Sequence, residues 1–241
     1  MHGARRGRSA VDSSSELLFS TPIALFPLPN CVLLPRAVLP LHIFEPRYRE
    51  MVADCLRGSP HIAMALLEPG YEEKYYTKVA AIAPVVCVGQ IVRHEELADG
   101  RYNILLQGVI RARVSSEDRT RSYRRGLLTP LPPSGNGDPT LETSMRRELL
   151  EALGSPGLAS LSRQCNWLEM VKSAELPLSD VVDYLAQALV CDVPCARKFL
   201  EEADVVKRFT MLLAAVKEIS DRALAGASAR IRHWPRATPQ N

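Results

Sequence analysis

Apolar positions in the first 130 residues fall into short runs cut by prolines. Ile23–Leu28, Cys31–Leu34 and Leu39–Phe44 are such runs, and His61–Leu67 and Val85–Arg93 are longer and rich in aliphatic side chains. Runs of this length, bounded by Pro and Gly, predict strands. Tyr102, Ile104 and Leu106 alternate with Asn103, Leu105 and Gln107. Leu105 breaks the alternation, which predicts a strand buried on both faces. Asp99-Gly100 separates Val85–Glu96 from Tyr102–Val109 and predicts a hairpin, because Gly accepts the positive φ of a tight turn. Ile110–Val114 and Tyr123–Leu131 complete the set. One helix interrupts it: Pro46 suits a first helical position, Tyr48, Met51, Val52 and Cys55 form an apolar stripe, and Gly58 can end it. Six or seven short strands with one inserted helix predict a compact barrel rather than an open parallel sheet.

Beyond residue 140 the apolar spacing changes to three and four. Val205, Val206, Phe209, Leu212, Leu213, Val216 and Ile219 predict a long terminal helix. Ser179 is read as the N-cap of a helix carrying Val181, Val182, Leu185 and Leu189. Val190–Glu202 reads as a short helix opened near Pro194, and Leu141–Leu153 and Leu161–Ala174 read as helices. The run from Pro130 to Pro139 holds four further residues of Pro or Gly and cannot continue a helix or a central strand. The predicted organisation is a tail over 1–19, a barrel over 20–131, a linker over 132–140, a helical bundle over 141–226 and a basic tail over 227–241.

Composition narrows function mainly by exclusion. Hydrophobic residues make up 46% and charged residues 24% of the 241 positions, which suits a folded chain rather than a disordered or fibrous one. A net charge of +3, from 30 basic and 27 acidic residues, does not by itself mark a nucleic-acid binder. No apolar run reaches the roughly eighteen residues of a membrane span. The stretch Ile23–Leu34 starts too late, and is too broken by Pro27 and Pro29, for a signal-peptide core. The expectation is a cytoplasmic protein without a membrane partner, its thiols reduced and packed as small hydrophobes.

Catalytic and cofactor signatures are missing. The chain has no phosphate-cradling Gly-rich loop ending in Lys-Ser/Thr, no dinucleotide fingerprint and no Gly-x-Ser-x-Gly elbow. His2, His42, His61, His94 and His233 are scattered. Cys191 and Cys195, which flank Pro194, are two ligands at most and read as packed thiols. His94-Glu95-Glu96 reads as a solvated hairpin end. No cofactor, metal or catalytic residue is expected.

Two segments look built for binding. The loop Glu68–Tyr76 holds Tyr71, Tyr75 and Tyr76, three of the seven tyrosines, among charges. Tyrosine offers rigid apolar area with a polar tip, the chemistry of adaptable protein recognition. The alternative is the stretch Arg111–Arg125, where Arg111, Arg113, Arg119, Arg121, Arg124 and Arg125 stand against Glu117 and Asp118, with Tyr123 between them. Cations interleaved with an aromatic ring suit single-stranded RNA, and Arg111, Arg113, Arg121, Tyr123 and Arg124 are the candidates for it.

The segment Phe26-Pro27-Leu28-Pro29, Val32-Leu33-Leu34-Pro35 and Leu39-Pro40-Leu41-His42-Ile43-Phe44-Glu45-Pro46-Arg47-Tyr48 resembles the opening of the Lon protease N-terminal domain family. The block from Gly89 through Asp99-Gly100-Arg101-Tyr102 to Gly108 and Val114 is similar to the same family's hairpin. The resemblance spans about residues 20–225. It implies an α+β protein, a PUA-like β pseudo-barrel followed by a C-terminal helical bundle. It makes Pro29, Pro35, Pro40, Leu41, His42, Phe44, Glu45, Pro46, Tyr48, Gly100 and Gly108 structural motif positions. Pro29, Pro35 and Pro40 set turns and edge strands, and Phe26, Leu28, Leu33, Leu41 and Phe44 fill the core. Glu45 favours the helix dipole, and Arg47 reads as a member of a local ion pair, with partner contact as the alternative. The family's Gly-Thr before the central strand is replaced by Tyr76-Thr77-Lys78-Val79. Full-length Lon proteases continue into an ATPase module and a Ser–Lys protease, and this chain ends where those would begin. The resemblance therefore implies a stand-alone, non-catalytic module. It would bind unfolded polypeptide segments or one protein partner, as an adaptor in protein quality control.

Overall fold

The structure is a computed structural model and describes residues 18–135, 138–190 and 192–224. β1 (Ile23–Leu28) leads through β2 (Val38–Ile43) and α1 (Pro46–Arg57) to β3 (His61–Leu66). Because that connection crosses over, β1 and β3 run parallel. β4 (Val85–Glu96), β5 (Tyr102–Asp118) and β6 (Arg124–Leu131) follow, and every other pairing is antiparallel. The strand order is β2-β5-β4-β3-β1-β6, and β6 also pairs with β5. Five strands therefore close into a ring, with β2 added along the outer edge of β5.

The ring closes because β5, paired with β4 along one edge, is long enough to serve two partners along the other. Its first part, Tyr102–Gln107, pairs with β2, and its second part, Arg111–Asp118, pairs with β6. The separate strand expected at Ile110–Val114 is thus the continuation of β5. Register shifts at Val88/Gly89, Ile91/Arg93 and Val114/Ser116 add the bends that closure requires. The run Cys31–Leu34, expected as a strand, is instead a buried connection.

Two cores explain the aliphatic runs. Ile23, Leu25, Ala63, Ala65, Val86, Val88, Ala112 and Leu128 fill the ring. Alanine and valine dominate because a narrow ring leaves little interior volume. The opposite faces of the same strands, with Ala24, Phe26, Ile62, Met64, Val85 and Cys87, join a larger core shared with α1 and the helices. Leu18 and Phe19, placed in the tail by the sequence reading, pack against the inner core. The remainder of that tail, the 227–241 segment and Cys191 lie outside the described residues.

On α1, Pro46 stands in the first turn and the stripe Tyr48, Met51, Val52 and Cys55 is buried, as expected. Each such side chain, fully buried, contributes about 1.5–3 kcal/mol. Cys31, Cys55 and Cys87 are buried too, and desolvation pushes each thiol up to about 12, so they are inert packing groups.

The helical part comprises α2 (Pro139–Leu153), α3 (Ala159–Gln164), α4 (Trp167–Lys172), α5 (Leu178–Leu189), α6 (Val193–Glu201) and α7 (Val205–Leu224). The single helix expected over Leu161–Ala174 is two, because Asn166 turns left-handed at φ 55° between them. Ser179 does not cap α5. Pro177 holds that position, its carbonyl accepting from Asp180 and Val181, and Ser179 is buried inside the first turn. The expected linker is tied down: Ser134 N–H donates to Ala203 O at 3.0 Å, and Val205 N–H donates to Ser134 O at 2.9 Å. No described helix is long and apolar enough to cross a membrane.

Barrel and helices meet through polar pegs as well as the shared core. Gln187 on α5 accepts from Leu34 N–H at 2.8 Å and donates to Val32 O at 3.3 Å. Arg36 pairs with Asp180 at 2.7 Å, and Arg197 on α6 forks onto Glu68 at 2.7 and 2.8 Å.

Candidate functional site

The tyrosine loop leaves β3 and returns to β4. A backbone bond from Glu68 N–H to Ala81 O and a bridge between Leu67 and Ile82 hold its base. At its tip, Glu72–Lys74 makes one 3-10 turn, and Lys74 N–H donates to Tyr71 O at 2.8 Å. This tight turn brings the three tyrosines together. Tyr71 and Tyr75 have ring centres 6.0 Å apart, and Tyr75 meets Tyr76 edge-on at 5.0 Å and 89°. Tyr71 and Tyr75 are half-buried, whereas Tyr76 is 83% exposed. Val79, which sequence reasoning did not single out, is exposed on the same loop. Nothing short of the loop's path marks Val79 as exposed, since an isolated valine carries no pattern.

Three cations fasten this loop to the barrel. Arg47 Nη1 and Nη2 each lie 3.3 Å from Tyr75 O. Lys78 Nζ donates to the carbonyls of Arg119 and Arg121 at 2.6 and 2.7 Å, tying the loop to the β5–β6 turn. Arg124 Nη1 donates to Ala80 O at 2.7 Å. Arg47 is engaged on all sides. Its Nε donates to Glu45 Oε2 at 3.0 Å, and its guanidinium lies 4.4 Å from the Tyr48 ring centre and 5.6 Å from that of Tyr75. Tyr75 OH reaches Glu45 Oε1 at 3.4 Å. Burial, and then the adjacent Glu45, push the Tyr75 phenol upward, so the ring stays neutral at physiological pH.

The basic stretch does not form a cationic surface. Arg111 is 2% exposed and forks onto Asp183 at 2.6 and 2.7 Å, with Leu200 O and Phe199 O as further acceptors. Arg124 is buried and pairs with Glu117. Tyr123 is buried, its hydroxyl donating to Asp54 at 2.8 Å. Three of the five candidates for RNA are thus consumed inside the fold, because β5 and β6 turn those faces toward helices and loop. Arg113 and Arg121 stay exposed, Arg121 lying 3.7 Å from Asp54.

The motif positions split. Pro29, Pro35, Pro40, Leu41, Pro46 and Tyr48 lie on β1–α1, and Leu41 and Tyr48 are buried. Phe44, expected in the core, is 43% exposed and stacks on His42 at 6.2 Å. It follows the last residue of β2, where the chain leaves the sheet for α1. His42 shares a 2.8 Å hydrogen bond with Asn103 on the neighbouring strand. Gly100 adopts φ 76° in the hairpin turn, as expected, and its carbonyl accepts from Arg49 Nε at 2.6 Å. Among the described residues no group of three or more His, Cys, Asp or Glu could hold a metal ion.

A mixed, ring-closing sheet packed on a helical array, with an aromatic loop held outside it, defines an α+β protein. Residues 22–218 match the family profile of the ATP-dependent protease La (LON) substrate-binding domain, and the chain belongs to that family. Lon protease 2 of Sorangium cellulosum is 25% identical over 209 residues, covering 80% of this chain and 24% of its own length. Lon protease of Paraburkholderia phytofirmans is 26% identical over 212 residues, covering 85% of this chain and 25% of its own. The chain thus spans about a quarter of these relatives. Two solved structures share the fold. The Lon N-terminal domain protein from Xanthomonas campestris has a TM-score of 0.55 and 24% identity, covering 80% of this chain and 98% of its own. The N-terminal domain of Mycobacterium avium complex Lon protease has a TM-score of 0.61 and 16% identity, covering 82% and 99%.

Proposed function

We propose that this chain is a non-catalytic recognition module that binds polypeptide segments through Tyr71, Tyr75 and Tyr76. The observation that carries the reading is an almost fully exposed ring, Tyr76, mounted edge-on against a fixed neighbour. A large apolar ring in water lowers its free energy by meeting apolar side chains. A prefixed ring also loses little entropy on doing so. Membership of a family described as substrate-binding supports the same role. We further read the closed ring as a PUA-like pseudo-barrel, and the protein as a cytoplasmic adaptor in protein quality control. The RNA reading is weakened by the internal engagement of Arg111, Tyr123 and Arg124.

Binding is tested by fluorescence anisotropy with fluorescein-labelled β-casein, an unfolded polypeptide, and with single-stranded RNA, each at low and high salt. Capture of casein that survives high salt is expected. Changing Tyr71, Tyr75 and Tyr76 together to Ser should weaken it about tenfold or more, equivalent to ~1.4 kcal/mol, with the melting temperature kept. Undiminished capture by that variant removes the loop from the account. RNA binding that falls steeply with salt, without casein capture, replaces this reading with the nucleic-acid one.

A further inference from the structure

The sequence reads Arg47 as a member of a local ion pair with partner contact as the alternative, and in the structure its side chain is only 15% exposed and that of Glu45 is 16% exposed. The two pair at 2.9 Å through Nη2 and Oε2, so neither charge is left for a ligand. We infer that Arg47, oriented by Glu45, is a positioning residue that holds the tyrosine platform in its binding shape. The inference rests on the reading that this platform is the contact surface.

The geometry shows how it acts. Both Nη groups converge on one carbonyl, Tyr75 O, which lies in the middle of the aromatic set. The same guanidinium lies between the Tyr48 ring below and the Tyr75 ring beside it. Tyr48 is itself buried in the core on α1, so the loop tip is registered against the barrel through one planar group. Glu45 completes the clamp from the other side, with Oε2 on Arg47 and Oε1 on the Tyr75 hydroxyl. Tyr75 is thereby held at both its backbone and its ring tip. Tyr76, which makes its ring contact with Tyr75, is aimed outward in consequence. Lysine cannot replace this arrangement, because a single ammonium has neither the planar face nor the fork.

Three readouts on Arg47→Met, Arg47→Lys and Glu45→Gln test this. They are casein anisotropy, melting temperature, and the rate at which chymotrypsin cuts the native protein after Tyr71, Tyr75 and Tyr76, mapped by mass spectrometry. Cleavage in the loop reports local opening and is insensitive to a client contact. Expected for Arg47→Met is cleavage at these tyrosines at least about tenfold faster and casein capture weakened by a similar factor. Arg47→Lys should resemble it, and Glu45→Gln should shift both readouts the same way by less. Unchanged loop cleavage in all three variants overturns the inference. So does full capture by Arg47→Lys with loss in Arg47→Met, since a point charge would then suffice. Should Arg47→Met unfold, the Lys and Gln variants carry the test. If the triple tyrosine variant still captures casein, the binding reading fails, while loop cleavage still decides the positioning role.

Discussion

At the scale of single residues, Gly108 shows how a motif position is set by backbone contact rather than by conformation. A Cβ added there would lie 2.2 Å from Leu34 O and 2.9 Å from Leu34 C. The turn Leu34–Ala37 folds directly onto β5: Arg36 N–H donates to Gly108 O and Gly108 N–H donates to Ala37 O, both at 2.8 Å. Arg36 takes the left-handed conformation, φ 69°, to make that turn, and its side chain reaches Asp180 on α5. A methyl group at Gly108 meets main chain, which cannot swing aside as a side chain can. Gly108→Ala should therefore destabilise by about 2–4 kcal/mol. Urea denaturation measures this, and an unshifted midpoint would show that the turn withdraws freely. Gly100 is the contrast. Its added Cβ would meet Arg49 Nη2, the mobile end of a long side chain, so its requirement is the positive φ of the hairpin.

At the scale of elements, legibility followed burial geometry. β1, β3 and β4 were readable as short aliphatic runs because both their faces are covered, one by the ring interior and one by α1 and the helices. α1 was readable because its stripe faces a single core. What could not be read was continuity. Strand β5 changes partner midway, and no local pattern tells one long strand from two short ones. Nor could the fate of the arginines be read, since Arg111 and Arg113 share one face of β5 and yet Arg111 is buried against the helices while Arg113 is exposed. The edge strand adds a device that the motif concealed. Gly108 N–H bonds Ala37 O, so the two-residue alternation turns Leu39, Leu41 and Ile43 toward β5. Backbone groups of Val38, Pro40 and His42 then face the open edge, and Pro40 has no N–H to offer there. Proline in mid-edge blocks strand addition by another copy. Pro40→Thr should restore the donor and raise self-association, seen as a concentration-dependent shift in sedimentation velocity. A variant that stays as monodisperse as the parent would assign Pro40 to turn geometry alone.

At the scale of the whole molecule, one charged cluster joins the two parts. Arg111 comes from β5, Asp183 from α5 and Arg208 from α7, and Arg208 is 0% exposed. Asp183 is held by both arginines, at 2.6 Å to Arg111 Nη2 and 3.4 Å to Arg208 Nε. Arg208 is the less satisfied of the two. Its Nε and Nη2 lack hydrogen-bond partners, and burial pulls its pKa down to about 10 against the attraction of Asp183. Removing the one carboxylate leaves two buried cations facing each other, so Asp183→Asn should cost about 3–5 kcal/mol. The cluster does not have to be ionic to be stable. Desolvating three charges offsets much of their attraction, and apolar side chains of similar volume avoid that cost. The variant combining Arg111→Met, Asp183→Leu and Arg208→Met is therefore expected to recover most of the stability lost in Asp183→Asn. The shared core keeps barrel and helices together in both variants, so calorimetry should record one cooperative transition each time. Two separated transitions in the apolar variant would mean that the charges, rather than the core, join the barrel to the helices. The platform of Tyr71, Tyr75 and Tyr76 is fastened by Arg47, Lys78 and Arg124, all through contacts with the barrel part of the chain and none with the helices. Casein capture should accordingly survive in the apolar variant and fall in Asp183→Asn only as far as that protein unfolds.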